Sequence, residues 1–388
     1  MSRIEIVPVK GLGGFLNFSK TARRLYDGRK GFAPSLDAER WTLYAGKLNP
    51  HYAQVESQAW IARRDGKLVG RISAQVYKNG LKPVGASPAQ FGCLDVIDDV
   101  EVAKGLLGAA EAWLRERGAT RINGPFSPSV NSEIGVLVEG YDATPMIFMP
   151  WNPAYLPGLL EKCGYRKAKD VISYRYAVTA EDRADQPGII NRPEWRDRLK
   201  IRTIDLKTIK KEAEILVDIF NDAWSDNWGF VPFSFDEFMS VADSMKYLMP
   251  PEGGFIVELD GEPQAFGVIL PNLHEITTDL GGHLFPLGLP KLISRLRNHD
   301  FRTARLALFG VRRALHRKAA GGAVILAFIQ ECRRRSRAHH SVDHVEFGWV
   351  LEDNMGMRRP IELSGAKIDK VHRIYEKDLI ADVAQPAA

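Results

Sequence analysis

The sequence has little of what secreted or membrane-spanning proteins need. Its three cysteines, Cys93, Cys163 and Cys332, are far apart and lack the close spacing of metal-binding pairs, which argues against a disulfide framework or a zinc site. No apolar run approaches the roughly 18 residues of a transmembrane helix, and no charged segment followed by an apolar one precedes the first predicted strand. The sequence therefore predicts a cytoplasmic protein without a metal.

The excess of positive charge is small but concentrated. Lys and Arg number 53 against 48 Asp and Glu, which gives a net charge of +5. Segment 291–337 holds thirteen of these cations and only two acids, Asp300 and Glu331, which predicts a surface for an anionic ligand. Nucleic acid is disfavoured as that ligand, because the cations are not interleaved with aromatic residues that would stack on bases.

A strand, a basic loop with glycines and a helix follow one another inside this segment. Thr303–Val311 is an apolar run bounded by charges, as in a short buried strand, and Gly322–Glu331 carries a helical apolar stripe. Four Lys or Arg residues lie between them. Glycine lets a ligand approach the backbone, and a helix start offers N–H groups and partial positive charge to an anion. The pattern predicts a phosphate site, with an ordinary strand-to-helix turn as the alternative.

The residues that follow favour the phosphate site. Val342–Leu351 indicates a strand, Asn354 opens a short helix that ends at Gly365, and Ala366–Lys377 indicates a last strand. Together with the loop Lys318–Ala323, this order resembles the C-terminal half of the GCN5-related N-acyltransferase (GNAT) superfamily. The phosphate loop of that superfamily reads Gln/Arg-x-x-Gly-x-Gly/Ala.

The sequence departs from the GNAT pattern at two positions. Lys318 takes the first position of the phosphate loop, or His316 does if the loop is two residues longer. Ile361 stands four residues before Gly365, where these enzymes carry a tyrosine. A tyrosine general acid from this helix is therefore in doubt.

The same order of elements occurs twice in the chain. A hairpin signal at Asp65-Gly66 and another at Asp260-Gly261 are each followed by strand, helix, strand, short helix and terminal strand. Such a repeat is too long for a solenoid. We interpret the chain as α/β, with two tandem GNAT domains at 1–180 and 181–388, each a mixed, mostly antiparallel sheet flanked by helices.

Only the second copy keeps the basic loop. The first has Leu94–Glu101 at the corresponding place, with four carboxylates that would repel a pyrophosphate. We therefore expect the donor to bind in domain 181–388. Domain 1–180 is expected to be degenerate, with a structural role or a share of the acceptor surface.

The resemblance implies which residues bind the donor, an acyl-CoA or acetyl-CoA thioester used as a substrate. The strand before the loop would contact it through backbone groups, and the loop and helix start would hold its pyrophosphate. The candidate donor-binding residues are Leu308, Phe309, Gly310, Val311, Arg312, His316, Arg317, Lys318, Gly321, Gly322, Ala323 and Asn354.

Transfer to an amine requires the amine to be neutral when it attacks, and a donor for the developing oxyanion. Candidate bases, acting directly or through water, are Glu346 in the predicted strand and Glu133, which with Asn131 forms a polar island among apolar residues. Tyr375 is a further titratable candidate. The alternative for each is structural: a surface carboxylate, or a core tyrosine with a satisfied hydroxyl.

An insertion at 272–302 separates the second hairpin from the phosphate-loop strand. Part of it, 284–297, combines a helical apolar face with neighbouring cations, which predicts a helix on an anionic membrane surface; the alternative is that the face packs on the domain. The apolar residues are Leu289, Leu292, Ile293 and Leu296, and the cations are Lys291, Arg295 and Arg297.

Further segments in both halves, among them GVRRALHRKAAGGA, VEFGWVLEDN and MPWNPAY, are similar to a bacterial group of tandem GNAT proteins that includes ceramide synthases. The resemblance implies an acyl-CoA-dependent N-acyltransferase, with a long-chain sphingoid-type lipid amine as the favoured acceptor and peripheral contact with the inner membrane face. The alternatives are acetyl transfer to a small soluble amine or peptide, and a catalytically silent module that binds anionic lipid.

Overall fold

The computed structural model describes residues 3–178, 188–245, 249–316, 318–338 and 341–379. The chain divides into two units. Unit 1 comprises Met1–Val171, Thr277–Phe285 and Lys370–Ala388, and unit 2 comprises Ile172–Ile276 and Pro286–Asp369. Each unit is an α/β assembly with its own core, which confirms the predicted fold class.

The N-terminal part of the chain, through residue 178, contains nine strands and five helices among its described residues. In chain order the strands are β1 (Ile4–Pro8), β2 (Val55–Arg64), β3 (Lys67–Tyr77), β4 (Ala89–Val96), β5 (Arg121–Gly124), β6 (Phe126–Ser127), β7 (Glu133–Ile134), β8 (Val136–Glu139) and β9 (Arg166–Ala177). The helices are α1 (Gly11–Tyr26), α2 (Asp37–Tyr44), α3 (His51–Gln54), α4 (Val100–Arg115) and α5 (Leu156–Lys162).

The described residues from 188 onward contain six strands and six helices, besides short 3-10 turns. The strands are β10 (Leu199–Thr203), β11 (Gly254–Leu259), β12 (Glu262–Pro271), β13 (Thr303–Val311), β14 (His344–Leu351) and β15 (Lys367–Asp378). The helices are α6 (Ile209–Trp224), α7 (Phe235–Met245), α8 (His274–Thr277), α9 (Gly288–Asn298), α10 (Ala319–Ala338) and α11 (Met355–Leu363).

In unit 1 the strand order is β1-β2-β3-β4-β5-β15. Neighbouring strands run antiparallel except β4 and β5, which are parallel at Gln90↔Asn123. The β2-β3 hairpin turns at Asp65 and Gly66, which both have positive φ, as its Asp-Gly signal predicts. The apolar face of α4 buries Val102, Leu106 and Ala110 against this sheet.

In unit 2 the strand order is β10-β11-β12-β13-β14. The first four strands are antiparallel neighbours, and β13 and β14 are parallel. Helix α10 packs Val324, Ala327 and Phe328 into a core with Phe255 and Phe309 from the sheet. The predicted strand at Thr303–Val311 is confirmed, whereas the helix after it is longer than predicted and begins at Ala319.

Candidate active site

Strands β13 and β14 lie side by side over half of their length only. Their parallel register runs from Thr303↔His344 to Leu306↔Phe347. On its other side β13 stays paired with β12, but the register shifts where Val268 faces Leu308 and Ile269 faces Leu306. Residue 307 is therefore one extra residue in β13, a β-bulge that bends the strand. Beyond this bulge the pairing of β13 with β14 ends, which leaves an opening in the sheet, and the Trp224 ring lies 6.1 Å from that of Phe309 on β13 and 5.2 Å from that of Trp349 on β14.

The edge of β13 that faces this opening carries backbone polar groups. The Arg312 N–H donates to the Gln264 carbonyl at 2.9 Å, and hydrogen-bonded pairs alternate with non-bonded pairs along an antiparallel ladder. Phe309 and Val311 therefore direct their N–H and C=O groups away from β12. The indole Nε1–H of Trp224 donates to the Phe309 carbonyl at 3.0 Å.

The glycines of the basic loop have different surroundings. A Cβ on Gly321 would lie 2.0 Å from the Leu315 carbonyl oxygen, so the loop backbone itself requires glycine there. A Cβ on Gly322 would meet nothing within 4 Å. The Gly322 N–H donates to the Lys318 carbonyl at 3.2 Å. The N–H groups that an α-helix leaves without an internal acceptor are therefore those of Ala319–Gly321, not those of Gly322 and Ala323 as the sequence pattern predicted.

Two of the loop cations are already engaged by acids of α6 and of the turn that follows it. Arg312 forms an ion pair with Asp218, and its Nε–H also donates to the Pro263 carbonyl at 3.0 Å. Arg313 forms an ion pair with Asp226, and its backbone N–H donates to Asp222 at 2.8 Å. These two arginines are therefore less available to a ligand than the sequence suggested.

Lys318 directly precedes α10. It is exposed, as is His316, and Arg317 lies outside the described residues. Because a helix N-terminus carries partial positive charge, an anion at Ala319–Gly321 would be attracted by the backbone and by Lys318 together. The phosphate site stays a prediction, with Ala319–Gly321 and Lys318 as the groups that would hold the anion.

Asn354 caps α11, as its position predicted. Its side-chain oxygen accepts a hydrogen bond from the Met357 N–H at 3.3 Å, and Gly365, with a φ of 91°, follows the end of the helix. The role of Asn354 in donor binding stays a prediction. Ile361, at the position of the expected tyrosine, lines an apolar cavity between α10 and α11.

Glu346 is fully buried and paired with a second buried charge, Arg305. The two residues are neighbours in the β13-β14 register, and their side chains form an ion pair with exposures of 1% and 3%. Arg305 also donates to the Gly348 carbonyl at 2.9 Å. Burial lowers the pKa of Arg305, and the charge of Glu346 opposes that shift. The arginine donates to one of the two carboxylate oxygens of Glu346, and the role of Glu346 as a base stays a prediction.

The candidates from the first half lie in unit 1. Glu133 accepts two hydrogen bonds from the Arg40 guanidinium, at 2.7 and 3.1 Å, and the same arginine donates to the Tyr44 hydroxyl at 3.0 Å. Asn131 is half-buried, and its N–H donates to Ser129 Oγ at 3.2 Å. Tyr375 is buried in the core of unit 1.

Burial raises the pKa of Tyr375 to about 12, with a further contribution from the neighbouring carboxylate of Glu161. The phenol is therefore protonated at neutral pH. Its hydroxyl donates to that carboxylate at 3.4 Å. These contacts fit a core tyrosine with a satisfied hydroxyl, and its catalytic role stays a prediction.

The corresponding opening in unit 1 is filled by the chain itself. A Cβ on Gly92 would lie 1.7 Å from the Phe126 carbonyl oxygen, and one on Gly124 would lie 2.3 Å from that of Phe91. Ser127 Oγ accepts a hydrogen bond from the Cys93 N–H at 2.9 Å. Backbone and hydroxyl groups thus occupy the edge of β4, whose counterpart in unit 2 is β13.

The start of α4 is also occupied by a protein group. Asp99 caps the helix by accepting from the N–H groups of Glu101 and Val102, at 2.9 and 3.2 Å, and its second oxygen accepts from Arg64 at 2.6 Å. Asp95, another of the four acids, is buried in an ion pair with Arg71. A carboxylate therefore stands where α10 offers N–H groups.

Several of these groups are absent from the predicted set. Arg305 of β13 pairs with Glu346, Trp224 donates to the Phe309 carbonyl, and Tyr176 and Met357 line the apolar cavity. One signal was present for Arg305, since a single charge inside an apolar strand needs a buried partner. Nothing local in the sequence marks the other three. Among the described residues no three His, Cys, Asp or Glu side chains come together as metal ligands would.

Two curated proteins align with nearly the whole chain. One is Protein YghO of Escherichia coli (strain K12), 39% identical over 356 residues that cover 92% of this chain and 90% of the relative. The other is the bacterial ceramide synthase of Caulobacter vibrioides (strain NA1000 / CB15N), 34% identical over 380 residues that cover 97% and 98% of the two chains. No family model matches the chain.

Solved structures match the fold over the same length. A tandem GNAT protein from the clavulanic acid biosynthesis pathway aligns with a TM-score of 0.56 and 13% identity, covering 98% of this chain and 100% of the other. A GCN5-related N-acetyltransferase from Sphaerobacter thermophilus aligns with a TM-score of 0.50 and 14% identity, covering 98% and 97%. At these identities the likeness concerns the fold alone.

The buried pair of Arg305 and Glu346 gives a stability prediction. Glu346→Gln removes one charge and leaves the other buried, which typically costs about 3–5 kcal/mol. We expect urea unfolding to show a loss of that order. The double variant Arg305→Met with Glu346→Leu removes both charges and should recover most of the loss. A single variant as stable as the wild-type protein would mean that the pair is not buried in solution.

Proposed function

This chain is an acyltransferase of the tandem GNAT family that includes the bacterial ceramide synthase, and we propose that it N-acylates a long-chain lipid amine from an acyl-CoA thioester. The observation that carries the donor part of this proposal is the contrast between the two openings. In unit 2 Phe309 and Val311 turn their backbone groups away from β12, with the Trp224 indole on the Phe309 carbonyl, and α10 begins with N–H groups beside a lysine. In unit 1 the corresponding groups are occupied by Ser127 and Asp99.

The donor would bind unit 2 with its pyrophosphate at Ala319–Gly321 and its thioester near Phe309 and Val311. Backbone N–H groups that point into an opening can hold a carbonyl oxygen without reorganisation, and they hold it more strongly as charge develops. Gly322 leaves open space for the approach of the phosphates. Lys318 adds a charge-assisted contact.

The chemical step is attack of the amine nitrogen on the thioester carbon. A C–N bond forms, the C–S bond breaks, and coenzyme A leaves as the thiol after it takes up a proton. The nitrogen loses its proton to a base, for which Glu346 and Glu133 are our candidates. Both already accept hydrogen bonds from an arginine, so a bridging water or a change of partner would be required. Unit 1 is proposed to be the degenerate copy, without a donor of its own.

The lipid nature of the acceptor is supported by the relative of known activity and by α9. Helix α9 has no buried residue, and Leu289 and Ile293, one turn apart, are 37% and 43% exposed. Leu287, just before the helix, is 67% exposed. Leu292 and Leu296 of the same face are half-buried, so this face packs on the domain in part and is exposed in part.

One of the three cations of α9 is directed to the protein, although part of the apolar face is exposed. Arg295 is half-buried and donates to the Ile276 carbonyl at 2.8 Å, whereas Lys291 and Arg297 are exposed. A helix with apolar residues toward solvent and cations beside them suits the boundary between anionic head groups and acyl chains. None of the helices among the described residues has the length and apolarity to cross a bilayer. We propose that α9 lies on the membrane surface.

Donor binding can be tested at Gly322. Gly322→Ala fills the open space without contact to the protein, so its fold should be unchanged. We expect isothermal titration with coenzyme A to show a loss of roughly tenfold or more, the equivalent of one charge-assisted hydrogen bond of about 1.5 kcal/mol. The control is Gly108→Ala, on the exposed face of α4 in unit 1 and equally open. Equal affinities for all three proteins would contradict the proposed site.

The reaction itself is tested by release of thiol from short-chain and long-chain acyl-CoA with a panel of amines. We expect release to depend on a long-chain amine. If either carboxylate is the base, Glu346→Gln or Glu133→Gln should slow the folded enzyme by about 10²–10⁴, while Glu262→Gln, at an exposed position of β12, should not.

Three other outcomes of this assay are informative. A loss below about tenfold in both carboxylate variants would exclude both as the base. Release with small amines or peptides only would replace the lipid acceptor. No release with any amine, together with lipid binding, would favour the silent binding module.

The membrane proposal is tested by sedimentation with lipid vesicles. Lys291→Gln with Arg297→Gln should weaken binding to anionic vesicles by about 2 kcal/mol, roughly 30-fold, because each cation near such a surface contributes about 1 kcal/mol. Added salt should reduce the wild-type binding. Lys210→Gln with Lys211→Gln, the same charge change on α6, is the control. Equal binding to anionic and neutral vesicles would contradict the proposal.

A further inference from the structure

The turn that leads into α9 is both apolar and exposed. Residues 284–290 contain no polar side chain. Phe285 and Leu287 are 79% and 67% exposed, and Pro286 and Pro290 are exposed as well. Exposed runs of three or four apolar residues are unfavourable in a soluble protein unless they serve a contact. We call residues 285–290 the apolar tip.

The chain just before the apolar tip is held in place by an ion pair of unit 1. Arg23 pairs with Asp37 at 2.9 Å and also donates to the Gly281 carbonyl at 2.9 Å. The Asp37 N–H donates to the Gly282 carbonyl at 2.9 Å. Gly282 has a φ of 83°, and a Cβ there would lie 2.9 Å from the Ser35 carbonyl oxygen, so this position requires glycine. The approach to the apolar tip is thus fixed by charged and backbone groups.

The chain after the apolar tip is fixed in a similar way within unit 2. Arg295 of α9 donates to the Ile276 carbonyl at 2.8 Å. Beyond the helix, Glu275 accepts hydrogen bonds from the N–H groups of Arg302 and Thr303, at 2.9 and 2.8 Å. Polar contacts therefore anchor the segment on both sides, while the apolar tip itself is exposed. A segment ordered in this way pays little further entropy when it binds a partner.

The backbone of the apolar tip also suits an apolar medium. An N–H group without an acceptor is costly inside a bilayer, and Pro286 and Pro290 have no N–H group. Leu289 continues the apolar surface into α9, where Ile293 lies one turn further and is 43% exposed. Lys291, exposed as well, directly follows the apolar tip. Because such a cation lies among anionic head groups, the apolar residues next to it can reach the acyl chains.

We propose that the apolar tip inserts below the head groups of an anionic bilayer and places Phe285 and Leu287 among the acyl chains. The inference rests on the membrane contact proposed for α9 and adds a second contribution to it. The cations of α9 supply an attraction that salt screens, whereas insertion of the apolar tip is hydrophobic and does not depend on screening. Burial of one large apolar side chain strengthens binding by roughly tenfold or more.

Sedimentation with anionic vesicles at low and at high salt separates the two contributions. Phe285→Ser with Leu287→Ser should weaken binding by roughly 100-fold, and by the same factor at both salt concentrations. Lys291→Gln with Arg297→Gln should weaken binding at low salt only.

The matched control is Leu12→Ser with Leu48→Ser. These two leucines of unit 1 are 73% and 58% exposed and lie outside the apolar tip. The control removes a similar amount of exposed apolar surface, and we expect it to bind vesicles like the wild-type protein.

Insertion can be observed directly with an environment-sensitive fluorophore attached to the Phe285→Cys variant. Cys93, Cys163 and Cys332 are buried, so the introduced thiol should react selectively. We expect a blue shift of the emission when vesicles are added, and quenching by lipids that carry a nitroxide in the acyl chain. The same label on Leu12→Cys should keep the emission of an aqueous site.

The outcomes separate this inference from the proposed function. Unchanged binding of the Phe285 and Leu287 variant, or an equal loss in the Leu12 and Leu48 control, would overturn insertion and leave the proposed contact of α9 intact. Absence of vesicle binding by the wild-type protein would contradict that contact and this inference together. A blue shift without lipid that grows with protein concentration would assign the apolar tip to a contact between copies of the chain and overturn the inference.

Discussion

The structure depends on how the backbone N–H and C=O groups of one strand find hydrogen-bond partners where its parallel neighbour strand diverges from it. A buried strand needs a partner for each N–H and C=O group, and both units contain such an edge after a short parallel pairing. In unit 1 Ser127 and the backbone near Phe126 fill the edge. In unit 2 Trp224 satisfies the Phe309 carbonyl, and the neighbouring backbone groups are those that we propose for the donor. The same local geometry is thus closed by the chain itself in unit 1 and forms the proposed donor site in unit 2.

The charged residues around the starts of α10 and α4 differ between the two units in the same way. Two acids on α6, Asp218 and Asp222, and Asp226 just after it engage Arg312 and Arg313. Lys318 and the helix start are therefore the groups that we propose for anion binding. In unit 1 Asp99 takes the helix start for itself. The cost of an uncompensated buried charge also explains why Arg305 and Glu346 occur as neighbours across β13 and β14.

The sequence predicted those features that depend on near neighbours. The strand Thr303–Val311, the cap Asn354 and both Asp-Gly turns follow from local chemistry and are confirmed. It could not predict features that depend on distant residues. The ion pairs of Arg312 and Arg313 join positions about ninety residues apart, and Gly321 is required by a carbonyl of the loop before it. The tandem family was identifiable because its motifs are local, whereas the base is not, because its role depends on tertiary contacts.

One apolar feature of unit 2 is hard to explain by stability alone. Helix α9 leaves Leu289 and Ile293 exposed to water while Arg295 is directed to the protein. Apolar side chains in water forgo the free energy that their burial would give. A membrane surface over the exposed part of α9, as we propose, would bury these side chains and place Lys291 and Arg297 among anionic head groups.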